Sequence, residues 1–180
     1  MRYFKEDTMA ILIDVQERLV PVMDRKVETV AASVRLIEGL RILGVPVVPF
    51  RQYPKGLGDY IPEIKEALGS HEPSDKLTFS AYGSEEIAER IDSYQKKNVL
   101  IFGMETHICV QQTALDLIAK GYNVMIVTDC VTSRKKADSD IALRRLEAEG
   151  ALLTTTESIL FELLKEAGSE SFKQISRLIK

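Results

Sequence analysis

Cys109 lies between an apolar segment and the start of an amphipathic one. Residues 99–102 are typical of a fully buried strand in a parallel sheet, and the segment stops at Gly103. From Ile108 onward, apolar residues recur with the spacing of a helix. The unpaired N–H groups and positive dipole end of a helix N-terminus favour the thiolate, which is the nucleophilic form of cysteine. Cys109 is therefore a candidate nucleophile, although a packed small hydrophobe is the commoner role of a free cysteine.

Asp14 is a second candidate, because it interrupts an otherwise apolar segment. Residues 8–15 predict the first strand, and the carboxylate falls at its carboxyl end. Burial of an unpaired carboxylate is costly, so the acid either has a functional role or caps a turn where the sheet has already ended. Lys76 lies near the start of an extended segment at residues 74–80, and by itself it is most simply a solvated surface charge.

Strands alternate with helices six times along the chain, which predicts an α/β fold: one three-layer α/β/α domain of residues 1–180. We expect a mostly parallel, six-stranded sheet with a Rossmann-like, doubly wound order, in which the first and fourth strands are neighbours. Asp14 and Cys109 would then lie side by side at the carboxyl edge of the sheet.

Residues 129–134 are predicted to form a polar link. The predicted strands are residues 8–15, 45–50, 74–80, 99–102, 122–128 and 151–154, and the predicted helices are residues 27–43, 61–68, 84–94, 109–120, 138–149, 156–165 and 171–180.

The composition excludes several classes of protein. The 180 residues are 45% hydrophobic and 28% charged, with a net charge of −3, and no basic patch predicts nucleic-acid binding. No apolar segment is long enough to span a bilayer, and no signal-peptide pattern precedes the first strand. The two cysteines make neither a disulfide framework nor a metal-ligand set, so we expect a reducing, cytoplasmic location. The glycine motifs of dinucleotide-binding, P-loop and serine-hydrolase sites are absent.

Three motifs together resemble those of the isochorismatase-like cysteine hydrolase superfamily. They are Ile-Leu-Ile-Asp-Val-Gln at residues 11–16, the lysine of the extended segment, and Gly-Met-Glu-Thr-His-Ile-Cys-Val at residues 103–110. The resemblance covers nearly the whole chain, and the Gln-Tyr-Pro-Lys-Gly-Leu-Gly loop at residues 52–58 is similar to that of the isochorismatase domain-containing proteins. The resemblance implies hydrolysis of a C–N bond in a small amide by a catalytic triad of Asp14, Lys76 and Cys109.

The implied reaction passes through a thioester. Cys109 would attack the amide carbonyl, with Lys76 favouring its thiolate form, while Asp14 would take the thiol proton and deliver it to the leaving amine. Water activated by the same carboxylate would then release the acid. The resemblance also implies a cis peptide bond between Met104 and Glu105, and an oxyanion hole formed by the backbone N–H groups of Glu105 and Cys109.

Two departures from the superfamily's patterns narrow the expected chemistry. Nicotinamidases of the superfamily carry an Asp-x-His metal motif after the second strand, where this chain reads Arg-Gln-Tyr-Pro at residues 51–54. We therefore expect no metal and no other cofactor. True isochorismatases lack the cysteine, so Cys109 argues against their vinyl-ether hydrolysis. The alternatives are that reaction, a non-catalytic binding or scaffold protein with the same fold, and a redox-sensing thiol.

The pocket for a small amide is predicted to be lined by Gln16, Gln52, Tyr53, Tyr82 and Met104. Tyr53 and Tyr82 are equally compatible with half-buried loop anchors. His107 and Cys130 are more simply explained as packing residues than as parts of the site. The resemblance implies a homo-oligomer, either a dimer or a tetramer, and we expect neither a nucleic acid nor a membrane as a partner.

Overall fold

The computed structural model describes residues 1–180, which form a six-stranded parallel sheet between two layers of helices. The strands are β1 (Thr8–Ile13), β2 (Val47–Gln52), β3 (Ser74–Lys76), β4 (Asn98–Met104), β5 (Asn123–Thr132) and β6 (Leu152–Thr154). The helices are α1 (Lys26–Leu43), α2 (Pro54–Leu57), α3 (Pro62–Leu68), α4 (Glu85–Asp92), α5 (Gln111–Ala119), α6 (Lys136–Ala148), α7 (Thr156–Leu164) and α8 (Glu170–Ile179). The strand order β3-β2-β1-β4-β5-β6 confirms the predicted doubly wound sheet.

The two central strands, β1 and β4, are buried along their whole length. They pair in parallel from Thr8 opposite Asn98 to Ile13 opposite Gly103, so both finish at the same edge of the sheet. Gly103 is required at this position, because its φ is +119° and a Cβ there would overlap the carbonyl oxygen of Ile13. This close approach places Asp14, the residue after β1, beside the turn that follows β4.

The second and third strands place two side chains at the same edge. β2 begins and ends two residues later than predicted, and Pro49 lies inside it, opposite Leu12. β3 is shorter than predicted and pairs with β2 so that Lys76 lies opposite Gln52. Both residues end their strands, so their side chains are next to each other at the carboxyl edge.

The fifth strand is longer than predicted. Residues 129–134 are predicted to form a link, but β5 continues to Thr132, because its pairing with β4 resumes beyond an irregularity with Met104 opposite Thr132. Cys130 is fully buried in this extension, in agreement with its predicted packing role. The extension brings Arg134 to the end of the sheet where β4 finishes.

The helices form two packed groups. α1 contacts α3, α7 and α8, whereas α5 contacts α6. The apolar stripe of α8 packs within the same chain, since Ile175 is fully buried and the ring of Phe172 lies edge-to-face against Phe161 at 6.4 Å. None of the helices combines the length and apolar character needed to cross a lipid bilayer.

Candidate active site

Asp14, Lys76 and Cys109 meet at the carboxyl edge of the sheet. Asp14 follows β1, Lys76 ends β3, and Cys109 lies in a π-helical turn, Thr106–Val110, between β4 and α5. Lys76 Nζ donates to Asp14 Oδ2 at 2.8 Å, and both side chains are completely buried. Cys109 is only 6% exposed. Lys76 is therefore not the surface charge that its residue type alone suggests, because pairing of β3 with β2 directs it into the sheet edge.

The Lys76 ammonium is surrounded by acceptors. In addition to the carboxylate, it donates to Gln52 Oε1 at 2.7 Å and to the carbonyl oxygens of Phe79 at 3.0 Å and Thr78 at 3.5 Å. Such pairing is what makes the burial of an ammonium tolerable. The Cys109 thiol donates to the same Gln52 Oε1 at 4.0 Å, so one amide oxygen faces both the ammonium and the thiol.

The Asp14 carboxyl is a weaker acid than an exposed aspartate. Burial raises its pKa from the ordinary value of 3.8 to about 6, and the charge and hydrogen bond of Lys76 oppose the rise. Its second oxygen, Oδ1, is buried and makes no hydrogen bond. That oxygen is free to accept a proton from a neighbouring group, and a pKa near neutrality suits a general base.

The Cys109 thiol is neutral at rest. Burial raises its pKa from 9.0 to about 12, the negative charge of Asp14 adds to the rise, and Lys76 opposes it. The lowered pKa expected from the sequence is therefore wrong, because the thiol is enclosed beside an anion instead of lying at an exposed helix N-terminus. A neutral, buried thiol is also poorly suited to peroxide sensing, which disfavours the redox-sensor alternative.

The two raised pKa values share one cause, burial, and the negative charge of the Asp14 carboxylate further raises the pKa of Cys109. When Asp14 takes up a proton, that like charge disappears and only the Lys76 ammonium remains charged beside the sulfur. Transfer of the proton from thiol to carboxylate therefore leaves the Cys109 thiolate next to a cation. The arrangement can generate a nucleophile and keep its proton for a leaving group.

The turn before Cys109 offers a hydrogen-bond donor. The peptide bond between Met104 and Glu105 is cis, which confirms the expectation from the resemblance. The Glu105 N–H donates to no backbone or side-chain acceptor, whereas its carbonyl oxygen accepts from Ile108 N at 3.1 Å and Val110 N at 3.2 Å. An unpaired N–H in this turn is available to stabilise an oxyanion.

The Glu105 side chain is held in place by Arg134, for which the sequence predicted no role. Both the backbone N and the Nε of Arg134 donate to Glu105 Oε2 at 3.1 Å. Thr113 was also missed; its Oγ1 donates to the carbonyl oxygen of Cys109 at 2.7 Å and accepts from Ala81 N at 2.8 Å. A threonine four residues after the cysteine on a predicted helix was the available signal, since that spacing allows a bond to the preceding turn.

Three of the predicted pocket residues lie in or next to the site. Gln52 contacts the ammonium and the thiol, and Met104 is buried at the end of β4. Tyr53 is half exposed, and its backbone N–H donates to the carbonyl oxygen of Lys76 at 2.9 Å. Of these three residues, Gln52 alone contacts triad side chains, whereas Met104 and Tyr53 are placed next to the site through their backbone positions.

Gln16 and Tyr82 have other partners. Gln16 is fully buried and its amide binds Gln52 N at 2.7 Å, Gln52 O at 3.0 Å and Gly58 O at 2.7 Å, so it fixes the loop after β2 and offers no free polar group to a ligand. Tyr82 donates to Asp92 at 2.8 Å and packs edge-to-face on Tyr122, in a surface cleft whose lining does not include Cys109. Neither side chain lines the site as predicted, because each is committed to these contacts.

Two further residues agree with their predicted packing roles. His107 Nδ1 lies 2.9 Å from Ser133 Oγ, and Cys130 Sγ lies 3.0 Å from Thr156 Oγ1 in the core. Neither contacts the ammonium or the thiol of the site.

The site is nearly closed within a single chain. The loop over Lys76 turns its carbonyl groups inward and the side chains of Leu77 and Phe79 outward, where they are 76% and 54% exposed.

No three His, Cys, Asp or Glu side chains lie close enough together to hold a metal ion, and Arg51 pairs with acidic side chains at 2.6 and 2.8 Å. A groove of about 820 Å³ between α1 and α3 includes no triad residue.

Comparison with known proteins gives a consistent family assignment. The Isochorismatase domain family matches residues 8–158. The chain is 41% identical over 167 residues to isochorismatase domain-containing protein 1 of Danio rerio, covering 93% of this chain and 59% of that protein. The chain thus spans about three fifths of that relative's length.

Solved structures share the whole fold. The MAR1 ribonuclease of Caenorhabditis elegans superposes with a TM-score of 0.93 at 34% identity, covering 99% of this chain and 92% of that one. The YcaC gene product of Escherichia coli, described as an octameric hydrolase of unknown specificity, superposes with a TM-score of 0.92 at 21% identity, covering 99% and 90%. The second likeness concerns the fold alone.

Proposed function

The chain belongs to the isochorismatase domain family, and on that premise we propose that it is a cysteine hydrolase that cleaves the C–N bond of a small amide through a thioester on Cys109. The observation that carries the proposal is the buried ion pair of Lys76 and Asp14 at 2.8 Å, beside the Cys109 thiol, on which both charges act. A buried ion pair is not a reliable source of stability, so its presence beside a potential nucleophile favours a chemical role.

The reaction begins with proton transfer from the Cys109 thiol to Asp14 Oδ1, which has no other hydrogen-bond partner. The thiolate, stabilised by Lys76, attacks the amide carbonyl and forms the C–S bond. The backbone N–H groups of Glu105 and Cys109 stabilise the oxyanion of the tetrahedral intermediate. Protonated Asp14 then donates its proton to the nitrogen as the C–N bond breaks, and the amine leaves.

The second half of the reaction releases the acid. Asp14, again ionised, takes a proton from water, and the resulting hydroxide attacks the thioester carbonyl. Collapse of the second tetrahedral intermediate breaks the C–S bond and returns the proton to the sulfur. One amide and one water thus become one carboxylic acid and one amine, and the thiol is regenerated.

The enclosure of the site favours a small substrate. Cys109 is 6% exposed and the triad side chains are buried, so a large polymer has no direct approach to the sulfur in a single chain. The C. elegans neighbour is named a ribonuclease, and an RNA therefore belongs among the compounds tested. The net charge of −3 opposes the binding of a polyanion.

The decisive experiment measures ammonia release from a panel of small primary carboxamides, with an RNA and a vinyl ether as additional arms. Wild type should release ammonia from at least one amide, and intact-mass analysis should detect an acyl adduct on Cys109. Cys109→Ser and Asp14→Asn should abolish turnover, because one lacks the nucleophile and the other the proton acceptor. Cys130→Ser is the matched control and should retain turnover, since Cys130 is packed in the core.

Each alternative has its own outcome in this experiment. Vinyl-ether cleavage that survives Cys109→Ser but not Asp14→Asn would identify an isochorismatase-type reaction that uses only the acid. The absence of both turnover and an acyl adduct, even with activated amides, would identify a non-catalytic binding or scaffold protein. The homo-oligomer and the reducing, cytoplasmic location stay predictions.

A further inference from the structure

The Lys76 ammonium has more acceptors around it than N–H groups. It carries three N–H donors, yet it faces Asp14 Oδ2 at 2.8 Å, Gln52 Oε1 at 2.7 Å, and the carbonyl oxygens of Phe79 at 3.0 Å and Thr78 at 3.5 Å. The sulfur of the nucleophile also lies against this ammonium. A thiolate that accepts a hydrogen bond from Lys76 must therefore displace one of the existing acceptors.

The Gln52 amide cannot rotate to serve the sulfur as a donor. Its Nε2 donates to Leu77 O at 2.9 Å, so its Oε1 is directed at Lys76. The backbone of Gln52 is clamped on both sides by Gln16, through N at 2.7 Å and O at 3.0 Å. The oxygen that faces the Cys109 sulfur at 4.0 Å can accept a hydrogen bond from a thiol but repels a thiolate.

We propose that Gln52 is a positioning residue that keeps Cys109 protonated at rest, because its fixed amide oxygen occupies an N–H of Lys76 and accepts the hydrogen bond of the thiol. The thiolate then forms only when substrate binding couples its formation to proton uptake by Asp14. The nucleophile is thereby protected from indiscriminate alkylation. The inference rests on the proposed function for its purpose, but the protonation state of Cys109 is measurable without turnover.

Asp14 and Lys76 are the two groups whose charges act on the Cys109 sulfur. The other charged or titratable groups around Cys109 are held by their own partners. On the β4–β5 side, the Glu105 carboxylate is paired with Arg134, and the His107 ring contacts a serine hydroxyl. Replacement of Gln52 leaves these groups in place, so a change in the thiol's titration reports on the amide oxygen.

The test compares two substitutions that change the same oxygen in opposite ways. Gln52→Met removes the acceptor at similar size and frees an N–H of Lys76 for the sulfur, so the Cys109 pKa should fall by about one unit and alkylation near neutral pH should become about tenfold faster. Gln52→Glu places an anion beside the sulfur and competes better for Lys76, so alkylation should become slower. Rates of iodoacetamide labelling across the pH range are followed by mass analysis of the peptide that contains Cys109.

Gln16→Met is the matched control, because Gln16 clamps the same loop but does not contact Lys76 or the thiol. It loosens the clamp on Gln52 but leaves the amide oxygen against Lys76, so any shift of the Cys109 pKa should be clearly smaller than in Gln52→Met. If both Gln52 variants shift the pKa in the same direction, or if Gln16→Met shifts it as much as Gln52→Met, general loosening of the loop explains the effect and the inference is wrong. An unchanged pKa in Gln52→Met also overturns it.

The outcome is separable from that of the proposed function. Opposite pKa shifts in a protein that hydrolyses no amide would support the role of Gln52 and refute the hydrolase. Amide turnover with an unshifted Cys109 pKa in both Gln52 variants would support the hydrolase and refute the role of Gln52. Circular dichroism identifies a variant that fails to fold, and Gln52→Glu, which keeps the length of the side chain, then carries the comparison with wild type.

Discussion

Replacement of Lys76 by methionine should change how folding stability depends on pH. In the wild-type protein, burial raises the pKa of Asp14 from 3.8 to about 6. The folded state therefore binds this proton more tightly than the unfolded state, and the resulting stabilisation is complete below about pH 4 and lost as the pH rises through about 6. At higher pH the carboxylate is ionised in both states and adds no further slope.

The Lys76→Met variant lacks the charge and the hydrogen bond that oppose the rise of the Asp14 pKa. The pKa of the folded variant therefore rises further, and the variant retains the proton near neutral pH. Each pH unit over which only the variant holds this proton costs it about 1.4 kcal/mol relative to wild type. We expect the stability difference to be smallest near about pH 5 and to grow by about 3 kcal/mol between about pH 6 and about pH 8.

Urea unfolding followed by circular dichroism, repeated at several pH values, measures this difference directly. The double variant Lys76→Met/Asp14→Asn is the matched control, because it has no carboxyl group to titrate, and its difference from wild type should stay constant above about pH 6. Parallel stability curves for wild type and Lys76→Met would refute the reasoning, since Lys76 would then not be the group that keeps Asp14 ionised.

Three further predictions concern the reaction, the sheet and metal dependence. For an amide that the protein hydrolyses, kcat/KM should fall below about pH 6, because protonated Asp14 cannot accept the thiol proton, and a profile that stays flat to about pH 4 would contradict this role. Gly103→Ala should lower the free energy of unfolding by about 3 kcal/mol or more, because its Cβ would overlap the Ile13 carbonyl. Gly121→Ala, also at positive φ but in open space, should lower the free energy of unfolding by only about 1 kcal/mol. Thermal unfolding of the two variants measures the difference. Chelator-treated protein should keep its melting temperature and its amide hydrolysis, and a stoichiometric transition metal bound near Tyr53 would contradict that expectation.

The neighbouring placement of Asp14 and Cys109 was predictable because it follows from local pattern and a general topological rule. Two fully apolar strands in a parallel sheet belong at its centre, and the doubly wound order makes them neighbours. The burial of Lys76 was not predictable from its own segment, because it depends on which residue of β2 lies opposite it. The resemblance placed it in the site where periodicity alone did not.

The protonation state of Cys109 was beyond the reach of sequence reasoning for a different reason. A helix start favours a thiolate, and the sequence shows the helix start but neither the depth of burial nor the distance to an anion. Burial and the nearby anion decide whether the pKa of Cys109 rises or falls, and both raise it. The extension of β5 was missed in a similar way, because its polar residues suggest a link and the pairing that makes them a strand is non-local.

A high thiol pKa does not weaken the case for a nucleophile, because the relevant quantity is the cost of the coupled proton transfer. In the resting site the sulfur gains nothing by ionising, since Asp14 is already negative and Gln52 Oε1 faces it at 4.0 Å. Once Asp14 holds the proton, the same ammonium that was neutralised by the carboxylate becomes the partner of the thiolate. In the proposed reaction, the proton is then held by Asp14, next to the nucleophile, and is available to the departing amine. If Cys109 were permanently a thiolate, Lys76 would pair with the sulfur. Asp14 would then either lack its cationic partner or take its proton from solvent and not from the thiol. Because the thiol is neutral at rest, one proton transfer from Cys109 to Asp14 produces the proposed nucleophile and the proposed acid together.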